Sequence, residues 1–462
     1  MASMATAWRN FEHINLISLE SQTNIYGSAV LSLDRNINKK VLIASLDGPV
    51  TCVKYDKTRG NQLKCICDEM PLPSTVSSSM FEVVAIDSFN KYNAQNQVVI
   101  TLVLMPGSVE MEDIDINTPE KIRPLQPLLA IYVAHSDKSS DLKMEELAST
   151  GQKLGLSFTP LHLNHICICR DGVKEIAILL SDVNKAVHVF VKDPNGDFDK
   201  STLAAQLPEF QNLQDDVLWI DSQHTSQRRY TAVGGQDGYV KFTISNLQTN
   251  QQIQSWTVEH QGAISSVRLF TFESEAYCGS KIKSSLQDYS NKSQNNEESC
   301  RYSLLVACST DVSVVYEDVC SEGFNLPLVL PGSNEYDCIL CSYIADIDWD
   351  GKNEIILGSY GQELLVYKRL DNYFNLSKDD TDETLMEKAR SPYKSLDLIY
   401  QHSFSEPIYS CCYIDLTGDG VCELVVTTFR ALHVLQHNLE SVSQKCSERT
   451  ALLLEGRIDW DI

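Results

Sequence analysis

Two acidic segments of the sequence have the residue types and the spacing of a calcium-binding turn. The first is Asp346-Ile-Asp348-Trp-Asp350-Gly351-Lys-Asn-Glu354, and it leads directly into an apolar strand. Acidic oxygens at alternating positions, with a glycine at the tight bend, suit a hard cation that takes about six to eight oxygen ligands. An EF-hand would end on a later glutamate and continue as a helix. The segment therefore predicts a structural Ca²⁺ ion held by Asp346, Asp348, Asp350 and Glu354.

The second segment repeats this frame with one change. It reads Asp415-Leu-Thr417-Gly-Asp419-Gly420-Val-Cys-Glu423, so a neutral hydroxyl stands where the first segment has a carboxylate. One negative charge fewer weakens the attraction for a divalent cation. We predict a weaker Ca²⁺ site at Asp415, Thr417, Asp419 and Glu423.

Two further segments keep only part of the frame. In segment 167–175, Cys167 and Cys169 replace carboxylates, and thiols are the wrong ligands for calcium. Segment 34–38 has Asp34, Asn36 and Asn38 but lacks the glycine. Asp, Asn and Gly also favour tight turns through bonds between side chain and backbone, so turn formation without any metal is the alternative for every copy.

No catalytic constellation stands out. The sequence has no G-x-S-x-G elbow, P-loop, G-x-G-x-x-G after a strand, or H-E-x-x-H. The histidines and cysteines of LHLNHICIC alternate on a strand, which favours buried cysteines and an ordinary histidine pair over a metal site. The glycines of Gly234-Gly235-Gln236-Asp237-Gly238 are expected in a hairpin turn, where glycine supplies positive φ. We therefore predict no enzyme and no essential cofactor.

A repeated hairpin explains where the acidic turns stand. Seven times, an apolar strand is followed by a short turn and a second, alternating strand. The hairpins begin at Val41, Val98, Glu175, Tyr230, Tyr302, Glu354 and Glu423. Other strand-like segments precede and follow most of them. Four strands per repeat, seven times, predict an all-β, seven-bladed β-propeller of four-stranded blades.

Closure of the ring is expected to use the N-terminal strand. The last hairpin ends near His437 without an evident fourth strand, and FEHINLISL at residues 11–19 is the candidate to complete that blade. Such pairing removes an exposed sheet edge. We expect the propeller to span residues 11–438. A possibly helical tail, with helix-like spacing at Leu439, Val442 and Cys446, follows at 439–462.

Polar insertions interrupt the repeat. Those near 106–126, 194–214, 272–300 and 370–392 are interpreted as loops between strands. The third is low in apolar residues, which is typical of disorder.

Charge and composition exclude several functions. With 38 Lys and Arg against 62 Asp and Glu, the formal net charge is -24, which disfavours binding to nucleic acid or to an anionic leaflet. No apolar run approaches the roughly 20 residues of a transmembrane helix. A secretory signal is not visible, and 15 cysteines without loop spacing argue against a disulfide framework. We expect a cytoplasmic, reducing environment.

Two resemblances add to this interpretation. The D-x-D-x-D-G-x-x-E turn before an apolar strand resembles the FG-GAP repeat of integrin α-subunit propellers. More closely, the chain resembles the kaptin family in segments that span it from the first blade to the last. These segments are SQTNIYG (21–27), VAIDSFNK (84–91), LPGSNEYDCIL (330–340), SYGQELL (359–365), DLTGDG (415–420) and HVLQH (433–437).

The kaptin resemblance implies a scaffold subunit of the KICSTOR complex. Its implied partners are a second FG-GAP propeller, a large seizure-threshold scaffold and the GATOR complex, which it would help to recruit to lysosomes. The implied outcome is negative regulation of TOR complex signalling when amino acids or glucose fall. The resemblance also implies, as an alternative, an adaptor on actin filaments, as in lamellipodia. A propeller hydrolase or lectin is a third possibility, and it would require convergent polar groups at the central channel.

Overall fold

The described part of the chain is a ring of seven antiparallel sheets with four strands each. In this computed structural model the described residues are 11–32, 39–57, 63–70, 72, 80–90, 97–107, 125–135, 147, 151–170, 172–194, 196–202, 206–274, 301–325, 327–371 and 394–454. The expected seven-bladed propeller is confirmed.

The first half of the chain forms blades 1 to 3, the first strand of blade 4 and, through β1, the outer edge of blade 7. Its strands are β1 (Phe11–Ser18), β2 (Ser28–Ser32), β3 (Lys39–Ala44), β4 (Val50–Lys57), β5 (Leu63–Met70), β6 (Phe81–Asn90), β7 (Gln97–Pro106), β8 (Leu128–His135), β9 (Gln152–Gly155), β10 (Pro160–Arg170), β11 (Val173–Asp182), β12 (Val187–Lys192), β13 (Phe198–Ser201) and β14 (Val217–His224). Blade 1 is β2 to β5, blade 2 is β6 to β9, and blade 3 is β10 to β13.

The second half contains the remaining strands and two described helices. Its elements are β15 (Arg228–Gly235), β16 (Tyr239–Asn246), β17 (Gln252–Glu259), β18 (Ile264–Phe270), β19 (Ser303–Cys308), β20 (Val314–Tyr316), α1 (Val319–Glu322), β21 (Pro327–Val329), β22 (Ile339–Ala345), β23 (Glu354–Ser359), β24 (Glu363–Asp371), β25 (Lys394–Ser403), β26 (Ile408–Ile414), β27 (Glu423–Thr428), β28 (Ala431–His437) and α2 (Leu439–Leu454). Blade 4 is β14 to β17, blade 5 is β18 to β21, and blade 6 is β22 to β25.

Blade 7 joins the two ends of the described chain. Its sheet order is β1-β28-β27-β26, so the N-terminal strand supplies the outer edge. The pairing of β1 with β28 runs antiparallel from Phe11 opposite His437 to Ser18 opposite Ala431. Closure by the N-terminal strand and the helical tail are therefore confirmed.

The apolar core lies in layers between the blades. The described residues form seven clusters of buried side chains, each between two neighbouring blades. Between blades 7 and 1, for example, Val41 and Ile43 pack with Val425 and Val434. Because a blade is covered on both faces, its middle strands are apolar on both faces, as β7 shows. This explains the continuous apolar runs that identified the hairpins.

The glycine run of blade 4 differs from expectation. Gly234 and Gly235 end strand β15, and within the run only Gly238, with φ of 95°, has a positive φ. A Cβ atom on Gly234 would lie 2.5 Å from Ile264 of blade 5. Gly358 of blade 6 meets Ile408 of blade 7 in the same way, at 2.6 Å. These strand glycines allow close approach of the next blade instead of forming a turn.

One expected loop is part of a sheet. The range 194–214 contains β13, the fourth strand of blade 3, and a 3₁₀ turn at Pro208–Phe210. The interpretation as a loop was wrong for residues 198–201, because a four-residue outer strand carries too few apolar residues to be recognised. Most of 106–126, 272–300 and 370–392 lies outside the described residues. In the described part of the chain, no helix is long and apolar enough to cross a membrane.

Candidate functional site

The two acidic segments form equivalent turns in neighbouring blades. The turn at 346–354 joins β22 to β23 in blade 6, and the turn at 415–423 joins β26 to β27 in blade 7. In both, the loop connects the first strand of the blade with the second. The sequence repeat therefore corresponds to a structural repeat.

Backbone hydrogen bonds shape the first turn. The Asp346 carboxylate accepts the N–H groups of Asp350, at 3.1 Å, and Gly351, at 2.9 Å. Glu354 Oε2 accepts the N–H of Ile347 at 2.9 Å. Trp349 has φ of 56°, a left-handed conformation that is uncommon outside glycine. Two of the predicted ligands thus hold the turn closed.

An internal ammonium group lies among the predicted metal ligands. Lys368 of β24 places Nζ 2.6 Å from Asp348 Oδ2, 2.7 Å from Asp350 Oδ2 and 2.8 Å from Glu354 Oε1. Ligand atoms of Asp346, Asp348 and Glu354 lie within 4.8 Å of one another. The predicted residues are therefore brought together, but around a cation that the chain itself supplies. With Lys368 in this position the arrangement does not fit Ca²⁺, so calcium binding stays a prediction that requires the ammonium to be displaced.

The charges of this cluster depend on one another. Burial raises the pKa of Glu354 to about 8, and the charge of Asp348 adds to the effect. Burial alone would lower the pKa of Lys368, but the charge of Glu354 and the hydrogen bonds to three carboxylates raise it above its ordinary value. The ammonium stays protonated and offsets the repulsion among the carboxylates. Lys445 of helix α2 also donates to the carbonyl of Asp348, which connects the helix to the same turn.

The second turn has the same shape with neutral partners. Asp415 accepts the N–H groups of Gly418 at 2.7 Å and Gly420 at 3.0 Å. Gly418 has φ of 71° and stands where the first turn has Trp349. Gln436 Nε2 donates to Asp419 Oδ2 at 3.2 Å and to Glu423 Oε1 at 3.3 Å. An amide thus takes the place that an ammonium has in blade 6, and among the described residues no ammonium or guanidinium bonds to the carboxylates of this turn.

Glu423 is buried beside these neutral donors. Oε2 accepts the N–H of Leu416 at 2.8 Å, and Oε1 accepts the hydroxyl of Thr417 at 3.1 Å. Burial raises the pKa of Glu423 to about 7, against the lowering effect of these hydrogen bonds. Thr417 and Glu423 bond to each other, whereas Asp415 accepts backbone N–H groups of the turn. The weaker calcium site also stays a prediction.

The third copy of the acidic turn, at residues 167–175, contains an ion pair. Arg170 Nη2 donates to Glu175 Oε2 at 3.2 Å, and Arg170 Nε lies 2.9 Å from Glu175 Oε1, so the glutamate at the last position of the frame again has a donor from its own blade. Cys167 and Cys169 are buried, and burial raises the pKa of the Cys167 thiol. Asp171, and the partial copy at 34–38, lie outside the described residues.

The left-handed Trp349 connects the first turn to blade 7. Its indole Nε1 donates to the Tyr413 hydroxyl at 3.1 Å, and that hydroxyl shares a hydrogen bond of 2.8 Å with His437 Nε2. The His437 ring also packs 4.4 Å, centroid to centroid, from Phe11 of the N-terminal strand. The acidic turn therefore supports the blade in which the ring closes.

Protonation of His437 should weaken this contact. Burial lowers the pKa of His437 to about 4, and the charge of Lys445 adds to the shift. Since the unfolded chain takes up this proton near pH 6.5, stability is full above that pH and is lost as the pH falls toward 4. Between pH 6.5 and pH 4, the free energy of unfolding of wild type should fall by up to about 3 kcal/mol more than that of His437→Phe. Urea unfolding of both proteins at several pH values measures the difference, and parallel profiles would contradict it.

Sequence reasoning missed the groups that complete the site. Lys368 and Gln436 lie on the second strand of each hairpin, well separated in sequence from the acidic turn. A signal was present, because a lysine directly follows the apolar run LLVY of β24. Trp349 gave no signal, since only the structure shows its left-handed backbone.

The fold and the acidic turns define the class of protein: a closed seven-bladed propeller with FG-GAP-like turns. The sequence model of the family described as KICSTOR complex protein kaptin matches residues 11–447. This chain belongs to the kaptin family.

Other comparisons agree to different degrees. A mouse protein (Mus musculus) described as KICSTOR complex protein kaptin is 29% identical over 441 residues, covering 95% of this chain and 90% of the mouse protein. A chain in the crystal structure of BBS1N in complex with ARL6DN is 14% identical to this chain in sequence. The superposition covers 93% of this chain and 97% of that chain, with a TM-score of 0.49. A likeness of that size carries no argument.

Proposed function

We propose that this protein is a non-enzymatic scaffold subunit of a KICSTOR complex. The observation that supports the proposal most is the match to the kaptin family over residues 11–447, which includes strands of all seven blades. A closed propeller offers two faces and a rim to other proteins, and the last glutamate of each acidic turn bonds to a side chain of its own blade.

The proposed partners are proteins. They are a second FG-GAP propeller and a large seizure-threshold scaffold, and together they would recruit the GATOR complex to lysosomes. Through it the assembly would restrain TOR complex signalling on amino-acid or glucose deprivation. The resemblance to kaptin supports these roles. Actin filaments are themselves acidic, so a net charge of -24 disfavours the alternative of direct filament binding.

Affinity capture tests the proposal. The tagged full chain is expressed in fed and in starved cells, and the named subunits are quantified by mass spectrometry against an unrelated tagged propeller. We expect the second propeller and the large scaffold in both states, with GATOR subunits alongside them. Recovery of none of these subunits would refute the scaffold role. Co-sedimentation of the purified chain with filaments, without those subunits, would support the actin adaptor instead.

A further inference from the structure

A cavity of about 240 Å³ lies on the axis of the ring. The first strand of every blade contributes to its wall: β2, β6, β10, β14, β18, β22 and β26. Since a water molecule takes about 30 Å³, the space holds roughly eight waters or one small organic ion.

Most polar groups of these inner strands bond across a blade boundary. The Ser410 hydroxyl pairs with that of Ser28 at 2.7 Å, and Ser266 pairs with Ser342 at 2.7 Å. The Asn164 amide donates to the Ile220 carbonyl at 2.5 Å. These bonds hold neighbouring blades together, so their groups are not free to bind a ligand.

The charged groups near the cavity are also engaged, with one exception. Asp87 Oδ2 lies 2.7 Å from His165 Nδ1, and although burial opposes it, the charge of Asp87 raises the pKa of His165. Asp221 Oδ2 accepts the N–H of Leu269 at 2.6 Å, and burial raises the pKa of this carboxyl. Burial lowers the pKa of His162 to about 4, so its ring is neutral.

Arg268 is the exception. Its Nε is buried and has no hydrogen-bond partner among the described residues. The charges of Arg268 and Asp221 interact, but no described carboxylate bonds to this Nε. The guanidinium group lies over the indole of Trp219, with the guanidinium carbon 5.0 Å from the ring centroid. Trp219 is only 9% exposed, and its Nε1 likewise has no partner. A buried donor without an acceptor costs stability, so these two donors indicate a missing acceptor.

We propose that the axial cavity binds a small monocarboxylate through Arg268 and Trp219. A carboxylate matches the planar fork of a guanidinium and accepts two parallel hydrogen bonds from it. Polar and apolar groups contribute about equally to the wall, and the apolar part, which includes Tyr26 and Leu163, offers contact to a short hydrocarbon or aromatic body. A phosphate dianion is disfavoured because Asp87 and Asp221 lie near the same space. The site is independent of KICSTOR membership.

Titration calorimetry with sodium benzoate tests this proposal on the full chain. At constant ionic strength we expect saturable binding at one site. Arg268→Gln should weaken binding by about ten-fold to a hundred-fold, since it removes hydrogen bonds to a charged group. Arg430→Gln is the matched control, because Arg430 also lies over an aromatic ring, 5.6 Å from Phe429, but is exposed and outside the cavity wall. It should bind as wild type does.

A second variant guards against misfolding of the first. Ala29→Leu adds bulk to the cavity wall and keeps Arg268, so it should also abolish binding. Circular dichroism shows whether each variant is folded, and if Arg268→Gln is not, Ala29→Leu decides. Absence of benzoate binding to wild type would overturn the proposal. Equal binding by wild type and a folded variant, or equal binding of inorganic phosphate that does not depend on Arg268, would overturn it too.

Discussion

Replacing Lys368 by alanine is expected to lower the free energy of unfolding by about 3 kcal/mol or more. Its ammonium contacts three carboxylates, and Glu354 among them is fully buried. Without the ammonium, Asp348 and Asp350 repel each other at short distance, and Glu354, whose pKa burial already raises to about 8, has to take up a proton. Removing one partner of a buried ion pair costs far more than the pair contributes, because the remaining group must either stay charged without its cation or be neutralised.

Gln436→Ala in the neighbouring turn is the matched control. It removes two hydrogen bonds from an amide, so we expect a loss of about 1 to 2 kcal/mol. Urea unfolding of both variants and wild type at neutral pH gives the comparison. A loss at Lys368 no larger than that at Gln436 would show that the ammonium does not hold the turn.

Added calcium distinguishes two interpretations of the turn at 346–354: that the Lys368 ammonium is its cation, or that the turn binds Ca²⁺. If the ammonium already serves as the cation, millimolar Ca²⁺ should leave the Tm of wild type unchanged but raise that of Lys368→Ala, whose vacated carboxylates can take the ion. Equal stabilisation of wild type and variant would instead mean that calcium displaces Lys368. That result would confirm the site predicted at Asp346, Asp348, Asp350 and Glu354.

The three described turns share a shape but not a charge. In each, the glutamate at the last position of the frame is held by a donor from its own blade: an ammonium in blade 6, an amide in blade 7 and a guanidinium in blade 3. Asp346 and Asp415 bond to the turn backbone in the same way. A frame suited to a metal is therefore also suited to side-chain donors, and the acidic pattern alone cannot distinguish the two.

The ring was predictable because its signal is repeated and strong. Middle strands that are covered on both faces need continuous apolar runs, and seven hairpins of such strands were visible in the sequence. The last blade lacked a fourth strand, and residues 11–19 were the segment that could supply it. The short outer strands β13 and β21 were not recognised, since three or four residues at a blade edge bury little apolar surface. The role of Lys368 was missed for a different reason. Strand pairing determines which carboxylates its ammonium contacts, and composition does not encode strand pairing.

A second buried ion pair lies where blade 3 meets blade 4. Arg229 of β15 and Glu209 of the 3₁₀ turn at Pro208–Phe210 are 0% and 1% exposed, and Arg229 Nε lies 2.6 Å from Glu209 Oε1. Arg229 Nη1 also donates to the Asn250 side chain at 3.3 Å. Lys241 donates to two carbonyls of the same turn, those of Pro208 at 3.1 Å and Gln211 at 2.8 Å. Two cations thus attach the segment between the blades to blade 4.

Arg229→Leu is therefore expected to cost about 3 to 5 kcal/mol of stability, because it leaves the Glu209 carboxylate buried without its cation. The double variant Arg229→Leu/Glu209→Leu removes both charges and fills the space with apolar atoms. We expect it to recover most of the loss, since buried ion pairs are often replaced by apolar pairs at little cost. Urea unfolding of wild type, both single variants and the double variant closes a thermodynamic cycle that isolates the coupling between the two side chains. Additive losses in the double variant would show that the pair is not coupled, and that blade 4 holds the turn through Lys241 and apolar packing instead.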